Sequence, residues 1–196
     1  MPAPPAGPFR PSTHGCEFGN AKTTGLPIRI GRLPVAMVTG GLCGGMVLDS
    51  LRSWRLGRAP AGRSTADLTR VFGAQLRSFQ VPTGPWQYLR LQQPGAIGAR
   101  AAATRRAARE IRRQVVQGRP VPVALVCRLS RNPFALSAHH VVLAYEVREE
   151  GAGSATFAVY DPNHPGDDDV LLRVAGDQVE HSRRRGVRAV FVLRAR

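Results

Sequence analysis

The hydrophobic period of this chain changes at Gly118, and that change constrains its fold more than any other feature. Before it, apolar residues recur at helical spacing. Met46, Val47, Leu48, Leu51, Trp54 and Leu56 follow a glycine-rich turn, and Ala99 to Gln117 is a proline-free run of Ala, Arg, Glu and Gln closed by Gly118. Ser64 and Asp67 predict an N-cap with an acidic first turn, opening a helix through about Phe79. Pro85 at a first helical position predicts a short helix through Leu91. After Gly118, short apolar runs bounded by turn residues predict strands at Pro122 to Leu129, His140 to Val147, Ala155 to Tyr160, Val170 to Val174 and Val187 to Leu193, with a turn at Glu149 to Ser154. Pro27 to Leu33 reads as an extended segment or a hairpin. Helices first and antiparallel strands later is an α+β pattern, not the alternation that builds a parallel sheet.

The 196 residues suit one domain with a substantial core, and the 43% hydrophobic fraction is ordinary for a globular protein. Met1 to Thr13, rich in Pro and Ala, is expected to be a disordered arm (1–13), leaving 14–196 as the folded domain. That arm has no apolar signal region, and no apolar run approaches the ~20 residues needed to cross a bilayer, so a cytoplasmic location is the default expectation. The 28 basic residues outnumber the 13 acidic ones. Lys22 is the only lysine, which points to a compositional Arg bias more than to a built surface. The Arg clusters at Arg105-Arg106, Arg112-Arg113 and Arg183 to Arg185 carry no interleaved aromatics. Nucleic acid is therefore expected to bind weakly and without sequence preference, if at all.

Three cysteines, Cys16, Cys43 and Cys127, include no CxxC pair, so neither a disulfide framework nor a zinc ribbon is suggested. Cys16 and Cys127 are expected to be packing residues. Cys43 stands differently, in Gly41-Leu42-Cys43-Gly44-Gly45, at the start of an apolar helix. A helix N-terminus lowers a thiol pKa, and flanking glycines would leave the sulfur open to substrate. A cysteine merely packed in a glycine-rich turn would look the same locally. His139 and His140 open the strand Val141 to Tyr145, and Asp161-Pro162-Asn163 follows the next strand. If those strands form a hairpin, an imidazole and a carboxylate meet at its end, giving nucleophile, base and orienter in chain order. Taken singly, Asp161 would be an Asp-Pro turn and the histidines partly buried polar residues. Asp167 to Asp169 lacks the alternating ligand spacing of a calcium loop and reads as an exposed acidic turn. No metal or organic cofactor is implied.

Gly41 to Met46, Gly118-Arg119-Pro120-Val121, His140 to Tyr145 and Val159-Tyr160-Asp161-Pro162-Asn163 together resemble the papain-like cysteine peptidases. Within them the chain is most similar to the bacteriocin-leader (double-glycine) peptidase group and its uncharacterised bacterial relatives, from about Gly15 to Leu193. The resemblance implies a papain-like fold, with helices and a nucleophile at a helix start packed on a C-terminal antiparallel sheet. It also implies hydrolysis of a peptide or protein substrate by a Cys43, His140, Asp161 triad, with the backbone N–H groups of Cys43 and Gly44 as oxyanion donors. His139 is the alternative base if the alignment slips by one residue, and Asn163 the alternative orienter, as papain uses an Asn. Strand alternation favours His140, because the small Ala144 and medium Val142 that share its face suit a strand facing the helix that begins at Cys43. One departure is clear: the family's Gln before the Cys is replaced by Met37. A papain-fold domain with little or no turnover, acting as a binding module, is thus a competing reading. An acyl transferase of the arylamine N-acetyltransferase or transglutaminase type shares the order of residues but not the interval from Cys43 to His140.

Overall fold

The computed structural model describes residues 7–20, 27–30, 33–37, 41–78, 83–132, 135, 138–151 and 153–194, with backbone alone at 27–30, 33–37, 83 and 150. It is an α+β structure of helices and antiparallel sheet. The helices are α1 (Pro11–His14), α2 (Cys43–Arg55), α3 (Thr65–Ser78), α4 (Thr83–Leu91) and α5 (Ile97–Val115). A two-stranded hairpin joins β1 (Pro27–Ile30) to β2 (Leu33–Met37). The main sheet contains β3 (Val121–Val126), β4 (His140–Gly151), β5 (Ser154–Tyr160), β6 (Leu171–Ala175), β7 (Gln178–His181) and β8 (Ala189–Val192), in the order β7-β6-β5-β4-β3-β8 and antiparallel throughout.

The two faces of the sheet line separate core clusters. Ala124, Val126, Val141, Leu143, Tyr145, Ala158 and Tyr160 share a cluster with Cys43, Val47, Leu51 and Trp54 of α2. Val121, Val123, Leu125, Val142, Ala144, Phe157 and Val159 share one with Ala107, Ile111 and Val115 of α5. Every side chain of β3 is buried, as a strand covered on both faces requires. The expected cap of α3 forms reciprocally: the Asp67 N–H donates to Ser64 Oγ at 3.1 Å and the Ser64 hydroxyl donates to Asp67 Oδ2 at 2.8 Å. Arg70 then ties α3 to α2 by an ion pair with the buried Asp49 at 2.8 Å.

Several expectations are corrected. The arm does not extend to Thr13: Phe9 is 2% exposed and packs against Trp54, Tyr145 and Tyr160, while Pro11–His14 is helical. Asp168 accepts both the N–H and the hydroxyl of Ser12, so the acidic turn anchors this segment. Residues 1–6 of the expected arm lie outside the described residues. Strand β4 runs past Val147 because its ladder with β5 continues to Gly151 opposite Ser154. Strand β3 stops at Val126 because the Cys127 N–H turns to His139 Nδ1 at 3.3 Å. Strand β7 was hidden by its polar sequence; its signal is the two-residue turn Gly176-Asp177, with Gly176 at φ 60°.

Candidate active site

Cys43 is the first residue of α2, and its helix start is pinned by two carboxamides from distant segments. The Leu42 N–H donates to Asn20 Oδ1 at 2.6 Å, and the Gly45 N–H donates to Gln75 Oε1 at 2.7 Å. Both satisfy N–H groups that a helix N-terminus leaves without partners. Gly41 is required at the turn: its φ is 79°, and a Cβ there would lie 2.5 Å from Asn20 Oδ1. Gly44 and Gly45 have a different use from the expected open approach to the sulfur. Both face α3, where a Cβ on Gly44 would lie 2.8 Å from Ser78 Cβ and one on Gly45 would meet the Val71 carbonyl. They let two helices touch; Cys43 itself is 8% exposed.

His140 begins β4 and Asp161 follows the last residue of β5, so the β4–β5 hairpin brings them together. The His140 Nε2–H donates to Asp161 Oδ1 at 2.6 Å, and both side chains are buried. The Asn163 N–H donates to the same oxygen at 2.9 Å. With Nε2 committed to Asp161, Nδ1 is the ring nitrogen left to act on the Cys43 sulfur. Burial alone would raise the Cys43 thiol. The positive His140 ring, its hydrogen bond, and the N–H groups of Val141 and Gly44 outweigh burial and hold the thiol below its ordinary pKa. Burial would likewise lower His140, but the Cys43 thiolate and the Asp161 carboxylate raise it. Asp161, despite its burial, is held at about 2 by His140 and the Asn163 N–H. Both shifts act in the direction of a thiolate–imidazolium pair backed by a carboxylate.

The strand-register argument for His140 is overturned, because Val142 and Ala144 face α5 and it is Val141, Leu143 and Tyr145 that face α2. His140 stands at the end of the sheet as the first residue of β4, next to Val141, which shares a cluster with Cys43. His139 is occupied elsewhere. Its ring stacks on Tyr88 with centroids 4.8 Å apart, Nδ1 accepts the Cys127 N–H, and Nε2 donates to Gln92 Oε1 at 2.9 Å. Asn163 does not orient the imidazole. Its amide nitrogen lies 3.4 Å from His140 Nε2, which already gives its proton to Asp161, and its Oδ1 accepts from Asn20 Nδ2 at 3.2 Å. Sequence reasoning missed Asn20, Gln75 and His181, whose Nε2 lies 3.5 Å from Asp161 Oδ2.

The other thiols are unsuited to nucleophilic work. Cys16 is buried beside Ser50 and pushed up to about 11 by burial, and the half-buried Cys127 is also raised by burial. A cavity of about 920 Å³ is lined by Arg55, Trp86, Arg90, Arg106 and Phe191, among others, and none of the triad lines it. Among the described residues no group of three or more His, Cys, Asp or Glu could hold a metal ion, and no helix is long and apolar enough to cross a membrane. No family model, curated protein or solved structure matches this chain.

The two buried neutral histidines make stability depend on pH. Burial holds both His139 and His181 at about 4. A histidine depressed in the folded state contributes stability that is present above its unfolded pKa of ~6.5 and lost as pH falls through the folded value. The melting temperature should drop by several degrees between about pH 6.5 and about pH 4. Calorimetry across that window checks it; a flat melting temperature would show that the two rings are protonated at little cost.

Proposed function

We propose that this protein is a cysteine-dependent peptide or amide hydrolase with a papain-like arrangement of helices and sheet. One observation carries the reading: His140, hydrogen-bonded to the buried Asp161 at the end of the β4–β5 hairpin, lowers the Cys43 thiol by its charge and so favours a thiolate. The thiolate attacks the substrate carbonyl carbon, forming the C–S bond. His140 gives its proton to the leaving nitrogen as the C–N bond breaks. Water, deprotonated by His140, then attacks the thioester, and the C–S bond breaks to release the acid and restore the thiolate. Asp161 keeps Nε2 protonated and Nδ1 facing the sulfur throughout.

Leu42 and Gly45 have given their N–H groups to carboxamides, so the oxyanion falls to the N–H groups of Cys43 and Gly44. A side-chain donor in such a hole is typically worth roughly 10²–10³ in rate. Its replacement by Met37, together with the 8% exposure of Cys43, favours the second reading, a binding module of low or no turnover. Incubating a diverse peptide library with the wild-type protein and with Cys43→Ala separates the two. New termini that appear only with the wild type support the hydrolase; identical spectra support the binding module.

A further inference from the structure

His181 ends β7 opposite Leu172, on the sheet face that packs against α5. Its side chain is 0% exposed, and that of Asp161 is 1% exposed. Nδ1 accepts the N–H of Arg183 at 3.2 Å, so the neutral ring carries its proton on Nε2. That nitrogen lies 3.5 Å from Asp161 Oδ2, too close for an intervening water and longer than an ideal hydrogen bond. Among the described residues neither Nε2 nor Oδ2 has a hydrogen bond, whereas Oδ1 of the same carboxylate receives both His140 and Asn163. Two buried polar atoms without other partners thus face each other directly behind the triad.

We infer that His181 is a positioning residue of this site, whose neutral Nε2–H supports the second oxygen of Asp161 and keeps that carboxylate ionised and aimed at His140. The inference rests on the thiol-hydrolase reading, and it adds a fourth residue to the triad. The charged and titratable groups around the ring are consistent with a neutral donor. Burial acts first against protonation, the positive charges of His140 and Arg184 and the nearby His164 act in the same direction, and only Asp161 favours it. A neutral donor supports the carboxylate without competing with the His140 imidazolium for its charge.

The test is the pH dependence of Cys43 alkylation in the full chain, comparing wild type with His181→Phe, which fills the space without a donor, and with His181→Gln, which retains an N–H. A buried carboxylate that loses a donor is harder to ionise, so the acid limb of His181→Phe should move up by about one pH unit or more while His181→Gln stays nearer wild type. A lower melting temperature in His181→Phe with an unmoved limb would mean packing alone and would overturn the inference. Should His181→Phe not fold, side-chain nitrogen NMR of the native protein decides: an Nε2–H tautomer at His181 is expected, and an Nδ1–H tautomer contradicts it. If His140→Ala leaves the wild-type profile unchanged, the hydrolase reading fails, and that outcome is separate from a failure of His181.

Discussion

His140→Ala should return the Cys43 thiol to its ordinary pKa of ~8.5 or above, since burial is then opposed only weakly, and abolish hydrolysis. In the wild type, Cys43 should be the first of the three thiols alkylated, because it alone is lowered while Cys16 and Cys127 are raised. Removing the imidazole removes the main influence that opposes burial. What remains, the N–H groups of Val141 and Gly44, is weaker than a full positive charge. Asp161→Asn should be intermediate, since a base remains but its tautomer is no longer fixed. His139→Ala should leave the alkylation profile in place and lower stability instead, because it strips Gln92 and the Cys127 N–H of their buried partner. A shifted profile in His139→Ala with none in His140→Ala would reverse the assignment of the two histidines.

Gly45→Ala should be strongly destabilising. Its Cβ would press on the Val71 carbonyl oxygen and lie 2.9 Å from the Gln75 backbone nitrogen and Cβ. Backbone cannot swing aside as the end of a flexible side chain can. The helices α2 and α3 must part, and the bond from the Gly45 N–H to Gln75 breaks with them. The expected loss is about 3 kcal/mol in a urea titration, with faster and less selective labelling of the cysteines. Gly73→Ala is the matched control. It lies within α3 with nothing within 4 Å of an added Cβ, so it should gain ~0.5–1 kcal/mol. Equal stabilities for the two variants would show that the α2–α3 contact is looser than the described geometry.

The contrast between these glycines marks what a sequence can and cannot disclose. The α+β class was legible because the period change at Gly118 is a local signal. The Ser64–Asp67 cap was legible because its two hydrogen bonds lie within one turn. Cys43, His140 and Asp161 could be singled out because each falls at the boundary of an element that periodicity already locates. Whether Gly45 opens a cleft or closes a helix contact depends on α3, which no local pattern around Gly45 encodes. The docking of Phe9 depends on Trp54, Tyr145 and Tyr160, far along the chain, so a Pro-rich composition pointed the wrong way. Asn20 and Gln75 carry no motif; they matter because loops and helices bring their amides to the α2 N-terminus. His181 sits in a short polar strand whose pairing with β6 places it behind Asp161.

The central claim is that Cys43 is a nucleophile made competent by His140, and acylation by an activated ester tests it most directly. The protein is mixed with a slight excess of a p-nitrophenyl ester, quenched in acid and mapped by peptide mass spectrometry. The account predicts a burst of nitrophenolate and an acyl group on Cys43, much reduced in His140→Ala and absent from that position in Cys43→Ala. An acyl group on Cys127 or on Lys22 with Cys43 unmodified, or equal acylation of Cys43 with and without His140, would contradict it.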